Sequence, residues 1–336
     1  MYHTRFKGTH YEIGYRYGSL LFSKGKYILE NVPFEITQER MDYAESCLPY
    51  YRQWFPSILE EIQGLADGQQ CDFNKLAGVL LTMYCIVPQQ HCSCFAVRNK
   101  QGTFFGRNSD FLTNIEKLCT NSIYRFTDQG YGFTGNTTAF VEMEDGINER
   151  GLAIGLTSVY PSVLRPGLNA GLILRLVLEQ CKDVKEAIEL LKRLPNGSSH
   201  TFVLADRSGA IALVESNTRK TVVDCPEETN AYVSAVNMFC LPDMIPYNHA
   251  LNDNWQADER YLTMEDMLSK QAVTMTAEDC MDLLAGKYGF MCQYDRRTGK
   301  DTVWSVVCDM GAGTVYRVEG NPGRKRFRED KRFSMI

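Results

Sequence analysis

The sequence predicts an α+β protein, with helical layers around mainly antiparallel sheets, on three observations. The first ninety residues carry apolar side chains at helical spacing. From residue 92 the period shortens to that of strands. The strand pairs are then separated by short helical stretches, the pattern of segregated helix and sheet layers.

Taken in order, residues 12–30 and 37–66 repeat apolar positions every three or four residues. Gly14 and Gly18 form a GxxxG whose flanking charges exclude a membrane helix, leaving close helix packing as its expected use. Residues 76–87 are the longest apolar run, a helix or strand ended by Pro88. CSCFAV and TFFGRN then flank Asn99-Lys100-Gln101-Gly102, a hairpin signal. Residues 138–144 with 152–159, and 201–205 with 210–215, read as further strand pairs. Helices are expected over 172–181, 183–194, 257–270 and 277–285, and strands over 302–308 and 314–318. The basic run from Arg324 to Arg332 is diluted by Glu329 and Asp330 and reads as a solvated terminus. No internal repeat or long linker divides the chain.

Composition narrows the function classes. The 336 residues are 44% apolar and 23% charged, the balance of a packed protein and not of a disordered one. A net charge of −5 argues against a broad nucleic-acid footprint. The first residues form no apolar leader, and the run at 76–87 is too short to span a bilayer, so a soluble cytoplasmic protein without membrane partners is expected. Twelve cysteines lie mostly in apolar stretches and read as reduced core thiols. There is no C-x-x-C, no H-E-x-x-H, no phosphate-binding loop and no calcium-loop spacing. No metal or cofactor is expected.

Only Cys92-Ser93-Cys94 stands out chemically. A cysteine nucleophile needs a base or local positive charge to become a thiolate. A papain-like pattern would have two residues between its cysteines, and here there is one. Another solution needs no histidine: if the bond before a cysteine is cut, its own α-amine, with a reference pKa near 8, can act as the base.

Cys92-Ser93-Cys94-Phe95-Ala96-Val97 followed by Phe105-Gly106-Arg107-Asn108-Ser109-Asp110-Phe111 resembles the start of mature N-terminal-nucleophile (Ntn) amide hydrolases. These include bile salt hydrolases, penicillin V acylase, acid ceramidase and the acyl-CoA:6-aminopenicillanate (isopenicillin N) acyltransferases. The spacing from Cys92 to Asp110 looks like that of the acyltransferase branch. Upstream, Gly8-Thr9-His10-Tyr11-Glu12-Ile13-Gly14 and Glu60-Glu61-Ile62-Gln63-Gly64-Leu65-Ala66 are similar to that branch's helical motifs. Downstream, Gly146-Ile147-Asn148-Glu149-Arg150-Gly151-Leu152 and Val233-Ser234-Ala235-Val236-Asn237-Met238-Phe239 resemble its turn and its Asn-ending strand. The chain departs from the pattern at His91, where the penicillin acyltransferases have Gly, and at Met238, where the branch tends to have His. Cys94 also stands where a Ser or Thr is often found.

The resemblance implies a four-layer αββα Ntn-hydrolase sandwich of two mainly antiparallel sheets. It implies a helical pro-segment, 1–91, and a catalytic domain, 92–336, separated by self-cleavage before Cys92. Cys92 would be the nucleophile, its freed amine the base. Arg107 would favour the thiolate, Asp110 would orient the amine, Asn148 and Asn237 would face the oxyanion, and Arg260 would hold the site together. Without the resemblance, Arg107 and Asp110 read as a surface ion pair, Asn148 as a turn residue and Arg260 as a solvated helix residue. The expected substrate is a small N-acylated amide, with water, an amine or an acyl-CoA as second reactant, and a homo-oligomer stays open. The alternative is an uncleaved, inactive binding protein of the same fold. Strand alternation puts residues i and i+2 on one face. Separating Cys92 from a core-facing Cys94 therefore requires Cys92 to sit at the strand's very start, out of register.

Overall fold

A computed structural model of the protein describes residues 1–32, 34–86, 91–249 and 254–335. The chain opens with a strand, β1 (Tyr2–Gly8), followed by four helices: α1 (His10–Ser23), α2 (Gln38–Trp54), α3 (Pro56–Gln69) and α4 (Phe73–Leu80). The body then runs β2 (His91–Asn99), β3 (Gly102–Leu112), β4 (Thr120–Phe126), β5 (Phe133–Thr137), β6 (Asp145–Asn148) and β7 (Leu152–Ser158). Next come α5 (Ala170–Gln180), α6 (Val184–Leu191), β8 (His200–Asp206), β9 (Ile211–Ser216), β10 (Thr221–Asp224) and β11 (Ala231–Ala235). The chain closes with α7 (Ala257–Gln271), α8 (Ala277–Leu284), β12 (Lys300–Asp309), β13 (Thr314–Glu319) and β14 (Arg328–Glu329).

The strands make two sheets, ordered β1-β4-β5-β6-β7-β8-β9-β10 and β11-β2-β3-β12-β13-β14. Every pairing is antiparallel except β1 with β4. Their facing sides share one apolar layer that includes Cys94, Phe105, Ile147, Ala153, Val203 and Val306. The first sheet's outer face packs on α5, α6 and the N-terminal helices, while the second packs on α7 and α8. This is the expected αββα order of layers.

Three expectations change. Residues 2–8 form not a helical lead-in but an edge strand, since Phe6 and Gly8 alternate inward while Arg5 and Lys7 stay exposed. Residues 138–144 are a loop and not a strand, because Thr138 folds back to donate from N and Oγ1 to Glu144 Oε1. The pairing partner of β7 is β6 instead. The basic tail is docked, with Arg317 and Arg332 both held by Asp330 and Arg324 by buried Asp301. The break expected at Pro88 lies outside the described residues.

The GxxxG does bring helices close. A Cβ on Gly14 would lie 2.0 Å from the Glu61 carbonyl oxygen, and one on Gly64 would lie 2.1 Å from that of Tyr11. α1 and α3 therefore touch backbone to backbone, and α1 starts at a Thr9 capping box closed by Glu12.

Where α1 meets the body, fully buried His10 gives Nδ1 to Asp128 at 2.8 Å and Nε2 to Glu179 at 2.9 Å. Both neighbours are acceptors, so the ring is an imidazolium. Burial alone would lower its pKa, but the bond to Glu179 and the charges of Glu179 and Glu61 raise it to about 8. Because the folded value exceeds the unfolded one, this contribution is complete below about pH 6.5 and lost as pH rises through 8. Its size is about 2 kcal/mol. Urea titrations of the wild type should show that loss between pH 6.5 and 8.5, and His10→Asn should flatten it.

Candidate active site

The site forms where β2, β3 and the end of β11 lie side by side. In the β2–β3 ladder Cys92 faces Ser109, Cys94 faces Arg107 and His91 faces Asp110. On the other side Ala235 faces Cys94, and continuing that register past β11 brings Asn237 level with Cys92. The Cys92 backbone N–H donates to Asn237 Oδ1 at 2.8 Å, while Asn237 Nδ2 donates to the Ser158 carbonyl at 2.9 Å.

Arg107 is buried completely, and Nη2 donates to Cys92 Sγ at 2.8 Å. Nη1 reaches Asp145 at 2.8 Å and Nε the Leu156 carbonyl at 3.1 Å. Burial disfavours its charge, but the carboxylates of Asp145 and Glu144 beside it more than offset this and hold it cationic. The cysteine is not activated by that cation alone. Burial pushes its thiol up to about 12, with Arg107 pulling down and Glu144 and Asp110 pushing further up. The sulfur is therefore a thiol, and its hydrogen-bond partner among the described residues, Arg107, is a donor and not a base.

Arg260, in the first turn of α7, is equally buried. Its Nη1 donates to the Cys92 carbonyl at 2.6 Å and to Ser93 Oγ at 2.9 Å, and Nη2 reaches Asn237 Oδ1 at 3.0 Å. Asp110 accepts from Thr302 Oγ1 at 2.6 Å and from the Tyr294 hydroxyl at 2.9 Å, and lies 3.6 Å from Arg260 Nη1. Burial raises the Asp110 carboxyl to about 6, against the pull of Arg260 and its two hydroxyl donors.

The structure thus gathers Cys92, Arg107, Asp110, Asn237 and Arg260, and leaves Asn148 apart. Asn148 Nδ2 donates to the Leu178 and Cys181 carbonyls, and its Oδ1 accepts from the Arg150 and Leu152 N–H groups. All its polar capacity goes into a β6–β7 turn docked on α5. The member of that segment that reaches the cluster is Asp145, which also accepts from Trp304 Nε1 at 2.7 Å. Its signal was present three residues before Asn148, on the opposite pleat. Nor does Cys94 leave the Cys92 face. Regular pairing keeps both sulfurs between the sheets, and Cys94 packs one step deeper, in the apolar layer beside the Arg107 stem and Gly155.

A family model described as acyl-coenzyme A:6-aminopenicillanic acid acyl-transferase matches residues 97–324, more than half of the chain. The chain belongs to this family. The match takes in Arg107, Asp110, Asn237 and Arg260, and begins five residues after Cys92. A β-alanyl-dopamine/carcinine hydrolase of Drosophila melanogaster is 25% identical over 221 residues, covering 55% of this chain and 56% of that protein. The chain therefore spans little more than half the length of that curated relative. Among solved structures, a Caenorhabditis elegans N-acylethanolamine-hydrolyzing acid amidase ortholog covers 66% of this chain and 93% of its own, at 16% identity and a TM-score of 0.48. Penicillin V acylase from Agrobacterium tumefaciens covers 68% and 82%, at 18% identity and 0.48. Likenesses at these scores add nothing to the family assignment, which rests on the match over residues 97–324.

Among the described residues no helix is long and apolar enough to cross a membrane, and no three His, Cys, Asp or Glu side chains group to hold a metal ion.

Because the Arg107–Asp145 bond is buried on both sides, Asp145→Ala should cost about 3–5 kcal/mol by stranding the guanidinium. Cys94→Ala should cost only about 1–2 kcal/mol, the loss of a small packed side chain. Urea midpoints of the two variants, measured together, check the order.

Proposed function

We propose that the protein is a self-processing Ntn amidohydrolase or acyltransferase, with Cys92 as nucleophile. The observation that carries this is the 2.8 Å contact from Arg107 to the Cys92 sulfur, while the Cys92 nitrogen rests on Asn237 Oδ1. Sulfur and nitrogen of one residue are each held by a separate buried partner, as an amine-assisted thiol requires. The Drosophila relative, a hydrolase, supports hydrolysis as the outcome.

In maturation Cys92 Sγ attacks the His91 carbonyl carbon. The bond from that carbon to the Cys92 nitrogen breaks, the thiol proton passes to the nitrogen, and a thioester remains. Water then hydrolyses the thioester, leaving a carboxylate on His91 and a free thiol and amine on Cys92. In turnover the amine accepts the thiol proton and the sulfur attacks the carbonyl carbon of a small acyl-amide. The departing amine takes that proton back. Water or a second amine then resolves the acyl-enzyme.

Within this scheme Asn237 positions the α-nitrogen. Arg260 fixes the Cys92 carbonyl, and Arg107 favours the thiolate once the amine has taken its proton. Asp110, held one pair along the ladder, is the carboxylate that balances the ammonium form.

Intact mass and N-terminal sequencing should find fragments 1–91 and 92–336 in the wild type and one chain in Cys92→Ala. Cys94→Ala should still divide. An uncleaved wild type that hydrolyses amides would refute the amine as base, and an uncleaved, inactive one would favour the binding-protein reading.

The pH profile follows from Asp110. Burial raises its carboxyl to about 6 in the uncut chain, and the ammonium that cutting places beside it would pull it back down, so the acid limb of kcat belongs to the amine and Asp110 together. The value of kcat should fall as pH drops, and Asp110→Asn, which removes the carboxylate that favours the ammonium, should lower kcat by about 100-fold or more and move that limb to lower pH.

A further inference from the structure

Asn237 stays level with Cys92 although the strand that leads to it has ended. β11 pairs with β2 as far as Ala235, opposite Cys94, and Asn237 lies two residues further on. Its side-chain oxygen accepts from the Cys92 N–H at 2.8 Å and from Arg260 Nη2 at 3.0 Å. Those bonds fix where the side chain must be, and something else has to aim the backbone that carries it.

That anchor comes from the other sheet. Thr157 Oγ1 lies 2.6 Å from the Val236 carbonyl oxygen and 2.5 Å from Thr201 Oγ1. A carbonyl can only accept, so Thr157 gives its hydroxyl proton to Val236, and Thr201 donates to Thr157. The chain of donors therefore runs one way, from Thr201 through Thr157 to Val236. All three residues are fully buried, where such bonds are strong and a lost partner is costly.

The placement of Thr157 follows from the pleat. It comes two residues after Gly155, on the face of β7 that makes room for Arg107 and Cys94. Thr201 is its direct neighbour in β8. The Val236 carbonyl and the Asn237 N–H belong to one planar peptide unit, so holding that oxygen sets the direction in which Asn237 starts. The next residue of β7, Ser158, accepts from Asn237 Nδ2 at 2.9 Å through its carbonyl. Two consecutive residues of one strand thus hold Asn237, its backbone through Thr157 and its side chain through Ser158.

We propose that Thr157 is a positioning residue for the nucleophile, acting through the Val236–Asn237 peptide on the Cys92 nitrogen. This rests on the reading of Cys92 as nucleophile and adds the element that sets its α-nitrogen. In self-cleavage the thiol proton passes to that nitrogen, whose place Asn237 Oδ1 fixes. Without the Thr157 hydroxyl the Val236 carbonyl is free to turn, and a misplacement of about 1 Å at a reacting group costs about 100-fold in rate. Thr201 acts one bond further back, so Thr157 keeps its bond to Val236 when the Thr201 hydroxyl is removed.

Thr157→Val keeps the shape and removes the hydroxyl, and Thr201→Val is its matched comparison. Both should lower the urea midpoint, since each deletes a buried hydrogen bond. Division at His91–Cys92, followed by intact mass from synthesis onward, should slow at least about tenfold in Thr157→Val and less than about threefold in Thr201→Val. Thr157→Ser should divide at nearly the wild-type rate, and Thr157→Ala replaces the valine variant if that one fails to fold. In Cys92→Ala, where nothing is cut, hydrogen exchange of the residue-92 amide, read by NMR, should quicken at least about tenfold when Thr157→Val is added. The rest of β2 should exchange as before, and Thr201→Val should leave the residue-92 amide protected. Equal slowing in both valine variants, no rescue by serine, or unchanged exchange at residue 92 would overturn the role of Thr157. A wild type that never divides would instead sink the nucleophile reading, and the exchange measurement would still decide whether Thr157 sets the position of that nitrogen.

Discussion

The burial of one guanidinium between two sheets is the constraint on which the site depends. Arg107 springs from β3, yet its bonds run to β2 through Cys92, to β6 through Asp145 and to β7 through the Leu156 carbonyl. Such a charge is tolerable in an apolar layer only if its donors are met by acceptors fixed in advance. Asp145 meets that condition because Trp304 and Asn136 hold it in turn. Gly155 supplies the room: a Cβ there would come within 2.9 Å of Arg107 Cδ and 2.8 Å of Cys94 Sγ. The sheet separation, the turn before β7 and the aim of the guanidinium at the sulfur are thus one arrangement.

The same interdependence governs the N-terminal segment. β1 pairs along its whole length with β4, and Arg175 on α5 bonds Glu61 on α3 with both terminal nitrogens. The Arg175 guanidinium also lies over the Tyr124 ring, 4.4 Å from its centroid. With the His10 contacts, these links tie residues 2–80 to the body without using the peptide bond before Cys92. A cut at that bond would release a local end and leave the layers in place.

Most of the fold was legible because its signals are local. The Asn99–Gly102 hairpin, the two helices between β7 and β8, and α7 and α8 all follow from periodicity and turn residues. β1 was hidden by the strong helical period that follows it, and the 138–144 loop by apolar residues that alternate without pairing. At the site, the residue order of the motif indicated which side chains gather, but not what each bonds. Asn148 and Asp145 share one short strand, and only the pleat and the docking of α5 decide which of them faces Arg107. Tyr294 and Thr302, which hold Asp110, come from the far end of the chain and carry no local signal at all.

The choice between the two cysteines turns on chain geometry more than on sulfur chemistry. Both thiols are buried, both face the space between the sheets, and burial raises both. Arg107 lies beside both, so proximity to a cation does not separate them. What separates them is the strand. Cys94 is paired on both sides, to Arg107 in β3 and to Ala235 in β11, so a break before it would sever a strand in the middle of a sheet. Cys92 lies beyond the last β11 pair, and its N–H bonds a side chain instead of a neighbouring strand. A chain end is compatible with the ladder at Cys92 and not at Cys94. A reaction that needs the α-amine of its own nucleophile can therefore be built only on the first of the two.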